Sequence, residues 1–150
     1  MRISDKIEQR LISLVNNGVI KTQDKMDEYI TAYFNGLADA EEFPSDVLET
    51  LIEETRKKFS GAFFQPFYFT FGSWEKYPFQ DGYLVIYAED IKMAALRFME
   101  LYPNPSNPEV LNCADYYSQR EWIGITKTYY KGRSPFQVIG KGGFFYEYNR

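Results

Sequence analysis

The chain has 150 residues, of which 45% are hydrophobic and 25% are charged, and its formal net charge is −4. A chain of this size and apolar content can bury a core without disulfides or a structural metal ion, and intrinsic disorder is disfavoured. It contains no histidine and a single cysteine, Cys113. Catalysis by histidine-dependent triads and dyads, zinc sites that use histidine, and an intramolecular disulfide are therefore excluded.

The cysteine count and the N-terminus together predict a cytoplasmic location. One thiol gives no sign of secretion, and the first residues lack the apolar core of a signal peptide. No apolar run approaches the ~20 residues that a membrane-spanning helix needs. We therefore expect a soluble protein of a reducing compartment.

Residues 1–60 predict an acidic module of three helices. Apolar residues recur with a helical period in three segments, at about 4–17, 22–37 and 45–59, and Thr22 is expected to cap the second. The module holds eight basic and twelve acidic side chains, whereas residues 61–150 hold nine of each. The net negative charge of the chain therefore lies in this module. The apolar residues expected to face inward from the third helix are Val47, Leu48, Leu51, Ile52 and Phe59.

The pattern changes at Ser60-Gly61, where the helical period gives way to extended segments rich in aromatic residues. Asp90 is expected to cap a main helix over about 91–102, and Ser118 and Glu121 match a capping box that begins a short helix. The predicted strands are 67–71, 83–88, 125–130, 136–139 and 144–148.

These elements predict an α+β fold in two domains. The first, residues 1–60, is the three-helix module. The second, residues 61–150, is a small antiparallel sheet packed against one main helix, in the order β-β-α-β-β-β.

The loop between the first two strands carries three aromatic residues, Trp74, Tyr77 and Phe79, beside Glu75 and Lys76. Aromatic anchors within a polar rim are typical of protein interfaces. The alternative is that the loop folds back and covers the sheet, in which case the rings belong to the core.

The acidic residues of the helical module form a second candidate surface. They could present a phosphate-like face to a nucleic-acid-binding protein, and a solvated helical face explains them equally simply. The full set is Asp24, Asp27, Glu28, Asp39, Glu41, Glu42, Asp46, Glu49, Glu53 and Glu54. The predicted partner-binding residues of both surfaces are Glu41, Glu42, Glu49, Glu53, Trp74, Glu75, Tyr77 and Phe79.

Two chemical alternatives remain open from the residues. Glu75, Asp81 and Asp115 could converge on a divalent cation for metal-assisted hydrolysis, although carboxylates in loops more often form turns. A nucleic-acid-binding module would use exposed rings together with Lys127, Lys131, Arg133 and Lys141. Cys113 is expected to be a small core residue. We expect a binding protein rather than an enzyme, with no catalytic residue, metal or cofactor.

Five segments of the C-terminal region together form a recognisable pattern. They are Phe69-Thr70-Phe71-Gly72-Ser73, Tyr77-Pro78-Phe79-Gln80, Gly82-Tyr83, the helix with Ala94, Phe98, Tyr102 and Pro103, and Leu111-Asn112-Cys113-Ala114-Asp115-Tyr116-Tyr117. This pattern resembles a small domain that is common in phages and mobile elements of Gram-positive bacteria. The resemblance covers roughly residues 67–139 and carries no catalytic assignment, and residues 1–60 resemble no family.

The resemblance implies a phage or prophage accessory protein of a bacterial host cell, a class that includes anti-CRISPR inhibitors of Cas nucleases. The expected function is stoichiometric binding of a bacterial protein or ribonucleoprotein, such as guide-loaded Cas9. The alternative is a small module that binds nucleic acid or processes it with the help of a metal.

Overall fold

The computed structural model describes residues 3–41, 44–126, 130 and 132–148. It divides the chain into two compact units, residues 1–62 and residues 63–150. Within the described ranges there are six helices and a four-stranded sheet, so the predicted α+β class is confirmed. None of the helices in those ranges is long and apolar enough to cross a membrane.

The first unit consists of α1 (Ile3–Asn16), α2 (Gln23–Glu41) and α3 (Ser45–Lys58). Thr22 precedes α2, and its hydroxyl accepts a hydrogen bond from the backbone amide of Lys25 at 3.2 Å, as expected of a capping residue. Apolar side chains at helical spacing on α1 and α2 supply much of the core of this unit, because they share one face of each of these two helices. The buried residues are Ile7, Leu11, Ile20, Met26, Ile30, Phe34, Phe59 and Ala62.

Helix α3 buries less of its apolar face than the sequence predicts. None of its residues is fully buried, and Val47, which is expected from its spacing to face inward, is 42% exposed. Two ion pairs join this helix to the other two, Arg56 with Asp27 and Lys58 with Glu8, each with a nitrogen–oxygen distance of 3.6 Å. The helix therefore presents much of its surface, including its carboxylates, to solvent.

The second unit is built on a mixed sheet. Strand β1 (Gln65–Phe71) pairs antiparallel with both β2 (Gly82–Ala88) and β3 (Asp115–Ser118), and β4 (Val138–Ile139) pairs parallel with β2. The order is β3-β1-β2-β4. The parallel pairing of β4 shows that the prediction of a purely antiparallel sheet is wrong. The chain leaves the sheet after β3 at one edge and returns as β4 at the other edge, and therefore no hairpin sets the direction of β4.

Both faces of the sheet are covered. On one face, alternate residues of β1 and β2 pack against Ala94 and Phe98 of α4 (Ile91–Leu101). Asp90 caps this helix, since its Oδ1 accepts a hydrogen bond from the backbone amide of Met93 at 2.8 Å. On the other face, Tyr83 and Val85 pack with Trp122 of α5 (Gln119–Thr126).

Two of the predicted strands are wrong. For the segment 125–130, Ile125 and Thr126 belong to α5, and residues 127–129 lie outside the described residues. Phe144–Tyr148 is a short helix, α6, in which the buried ring of Phe145 stacks on Phe63 at 5.3 Å. Aromatic residues favour strands because rings pack well on a half-buried sheet, and tertiary packing that buries the ring elsewhere overrides this preference.

Candidate partner-binding surfaces

The Trp74 loop, residues 72–81, is held by hydrogen bonds at its ends and through its middle. The backbone amide of Asp81 donates to the carbonyl oxygen of Gly72 at 3.1 Å and closes the loop. The side-chain amide of Gln80 donates to the carbonyl oxygens of Trp74, Glu75 and Tyr77 at 3.2, 3.4 and 2.8 Å. Nothing in the sequence marks Gln80 for this role, because it depends on the path that brings three carbonyls to one amide.

The three aromatic residues of the loop have different environments. Tyr77 and Phe79 are half-buried and pack on Phe71 of the core, with ring centroids 6.2 and 5.4 Å away. Trp74 is 50% exposed, and its ring meets Tyr77 edge-on at 4.8 Å. Both interpretations of the loop therefore apply: two rings cover the sheet, and the indole remains on the surface.

A close approach between two residues supports the base of the loop. A Cβ atom at Gly82 would lie 2.4 Å from the ring of Phe136, so only glycine leaves room for that ring. Phe136 in turn stacks on Phe79 at 4.9 Å with an interplanar angle of 10°. The aromatic residues below Trp74 thus form a packed support for the loop.

In the first unit, carboxylates line two adjoining concavities that share Arg56, and we call this surface the acidic groove. The larger concavity has a volume of about 530 Å³ and the smaller about 360 Å³. Arg56 lines both concavities and forms an ion pair with Asp27. The larger part is lined by Asp24, Asp27, Glu28, Thr31, Ala32, Asn35 and Arg56, and the smaller part by Glu49, Ile52, Glu53 and Arg56.

The predicted acidic residues fall in different places relative to this groove. Glu49 and Glu53 are exposed, lie one helical turn apart on α3 and line it. Glu41 is the last residue of α2, and Glu42 lies outside the described residues. Glu75 is exposed in the Trp74 loop.

The partner-binding residues predicted from the sequence omit part of the groove. Asp24, Asp27 and Glu28 belong to the wider acidic set but not to that prediction, and no pattern in the sequence marks Arg56 as a site residue. Their proximity depends on how α3 packs beside α2, which the sequence pattern does not specify.

The three carboxylates considered for metal-assisted hydrolysis do not come together. Within the described ranges, no group of three or more histidine, cysteine, aspartate or glutamate residues could hold a metal ion. Asp81 has a left-handed backbone in the loop, with φ 53°, and Asp115 begins β3, where its carbonyl oxygen accepts a hydrogen bond from Thr70 at 3.2 Å. The hypothesis that Glu75, Asp81 and Asp115 converge on a cation is therefore wrong.

Cys113 is half-buried and packs against the core beneath α4. Burial raises the pKa of its thiol to about 12, and the nearby carboxylate of Asp115 contributes to this rise. The thiol therefore stays protonated at neutral pH and is a poor nucleophile.

Several aromatic rings of the second unit that were considered for stacking on bases already pack against another ring of the protein. Tyr68, Tyr83 and Tyr130 surround Trp122 with centroid distances of 4.6, 4.7 and 4.8 Å, so those faces pack within the protein. Arg133 and Lys141 are exposed, and Lys127 and Lys131 lie outside the described residues.

Comparison with family models, with curated proteins and with solved structures found no match to the chain.

Proposed function

We propose that this protein acts by stoichiometric binding to a Cas effector such as guide-loaded Cas9, as an anti-CRISPR accessory protein of phage or prophage origin. The acidic groove carries the proposal. Five carboxylates line its two parts around one cation, so an approaching partner meets a negative surface. Cas9 holds its nucleic acid in a positively charged channel, and such a channel is complementary to this groove.

The Trp74 loop supports the same function as a separate contact. An exposed indole on a loop that is braced by hydrogen bonds loses little conformational freedom on binding, which is a property of strong interface residues. The groove and the loop belong to different units, and each is tested by its own variants.

The first test mixes the purified protein with guide-loaded Cas9 and follows co-elution in size-exclusion chromatography. The same fractions are assayed for DNA cleavage and for integrity of the guide RNA. We expect co-elution, loss of cleavage and an intact guide. Normal cleavage without co-elution would remove this Cas9 as the target.

Matched charge reversals locate the interface. We expect Glu49→Lys and Glu53→Lys each to weaken binding at least tenfold, because like charges placed across an interface cost several kcal/mol. Glu54→Lys is the control, because Glu54 is an exposed carboxylate of the same helix that does not line the groove. Equal affinities for all three variants would remove the groove from the mechanism.

The loop is tested by Trp74→Ala. Truncation of a central interface residue costs about 2 kcal/mol or more, which corresponds to a roughly thirtyfold loss of affinity. Unchanged affinity would leave the groove as the contact surface and remove the loop.

A further inference from the structure

A third surface, on the first unit, has the opposite charge from the acidic groove. It is a concavity of about 410 Å³ lined by Lys6, Gln9 and Arg10 of α1 and by Tyr33 of α2, and we call it the basic concavity. In a unit with an excess of acidic residues, two cations beside an aromatic ring are a distinct local feature.

The two cations share one side of α1, because residues four apart lie one turn from each other. Both side chains are exposed, and among the residues that the structure describes neither is in an ion pair with a carboxylate. The side chain of Tyr29 raises the pKa of Arg10 above its usual value. Arg10 therefore keeps its full charge for a ligand.

The aromatic ring of the concavity is fixed by its neighbours. Tyr33 is half-buried, and its ring packs edge-on against buried Phe34 at 5.6 Å and lies 6.2 Å from Tyr29. Since Tyr33 also lines the concavity, part of this ring is available to a ligand. A fixed ring can stack on a planar ligand with little ordering cost.

We propose that the basic concavity binds a segment of single-stranded nucleic acid, with Lys6 and Arg10 at its phosphates and Tyr33 stacked on a base. Cations that follow the backbone, combined with a ring that stacks on bases, are what such segments require. The side-chain amide of Gln9 can donate to and accept from a base edge. An acidic peptide would use the two cations but would leave the ring without a role.

This inference goes beyond the proposed function, because it assigns a nucleic-acid contact to a protein whose acidic groove is proposed to bind protein. A ribonucleoprotein offers both kinds of surface. The oligonucleotide-binding experiment contains no Cas protein, so its failure would leave the inhibitor proposal standing, and failure of the co-elution test would leave this inference standing.

The experiment measures binding of the full chain to a fluorescein-labelled 12-nucleotide oligouridylate by anisotropy, at several salt concentrations from about 50 to about 200 mM. Each phosphate contact on a single strand contributes about 0.7 to the slope of the logarithm of the binding constant against the logarithm of the salt concentration. The double variant Lys6→Gln/Arg10→Gln loses two such contacts, so we expect its slope to be shallower by about 1.4. Lys25→Gln, a loss of charge at an exposed lysine outside the concavity, should leave the slope unchanged. Circular dichroism checks that each variant is folded.

The ring is tested by a pair of substitutions. Tyr33→Phe should retain affinity, and Tyr33→Leu should lose about tenfold, because stacking needs the ring and not the hydroxyl. Absence of binding at the lowest salt concentration, or a slope unaffected by Lys6→Gln/Arg10→Gln, would overturn the proposal. The proposal would also be overturned if a twelve-residue polyglutamate peptide competed equally well with the oligonucleotide and Tyr33→Leu kept full affinity. That result would assign the concavity to acidic peptides.

Discussion

Asp81 is placed by its backbone conformation rather than by its carboxylate. Its φ of 53° is left-handed, and its amide closes the Trp74 loop. Aspartate tolerates this region, whereas a β-branched residue does not. We expect Asp81→Val to lower the free energy of unfolding by about 1–2 kcal/mol, and Asp81→Gly to leave it unchanged or slightly higher. Urea unfolding of the full chain measures both, and equal losses in the two variants would instead assign the effect to the lost carboxylate.

Single residues also show where prediction from sequence succeeds and where it stops. The aromatic residues of the Trp74 loop stand out in the sequence because of their type and their polar neighbours. The sequence does not show which of these rings stays exposed, because exposure depends on whether Phe71 or Phe136 lies beneath a given ring. The hydrogen bonds that Gln80 donates to the loop carbonyls cannot be predicted from the sequence for the same reason.

Helix α5 begins at a capping box that the sequence predicts and the structure confirms. The carboxylate of Glu121 accepts from the backbone amide and the hydroxyl of Ser118 at 3.1 and 2.9 Å, and the amide of Glu121 donates to that hydroxyl at 3.3 Å. These hydrogen bonds lower the pKa of Glu121 below its usual 4.5. The cap positions Trp122, which is buried against the sheet.

The lowered pKa gives a prediction for pH dependence. A carboxyl whose pKa is lower in the folded state stabilises that state above about pH 4.5, and this contribution is lost as the pH falls through the folded-state pKa. We expect Glu121→Gln to be less stable than the natural chain at neutral pH, and the difference to shrink as the pH falls below 4.5 and through the folded-state pKa of Glu121. Thermal unfolding at several pH values measures it. A difference that stays constant across the pH range for Glu121→Gln would contradict the assignment.

The helices with periodic apolar faces and the first two strands formed as predicted, whereas the strand predicted at 144–148 from aromatic content did not. Helices α1 to α4 have apolar periodicity that local sequence specifies. The segment Phe144–Tyr148 has only aromatic content, which suits any backbone that buries the rings, and it forms a helix. Strand β4 has two residues and a parallel partner, so its pairing depends on a contact distant in sequence.

Among its described residues, the second unit contains two hydrophobic clusters. One lies between the sheet and α4, and the other lies around Trp122, and every described member of both falls within residues 63–150. We expect this fragment to fold alone and to unfold cooperatively in urea, with near-ultraviolet circular dichroism from its packed rings. A fragment of residues 89–150, which lacks β1 and β2, should not fold. A non-cooperative transition in the longer fragment would show that its stability requires residues 1–62.

For the chain as a whole, the sequence determined the α+β class, the helices with periodic apolar faces, the caps at Asp90 and Ser118, and the segregation of negative charge into residues 1–60. These follow from local preference and composition, which act over a few residues. Tertiary structure decided the parallel pairing of β4, the exposure of Trp74, and the grouping of carboxylates around Arg56 and of cations beside Tyr33. Each of these joins residues from different elements, and the relative placement of two elements is set by packing that no local pattern encodes.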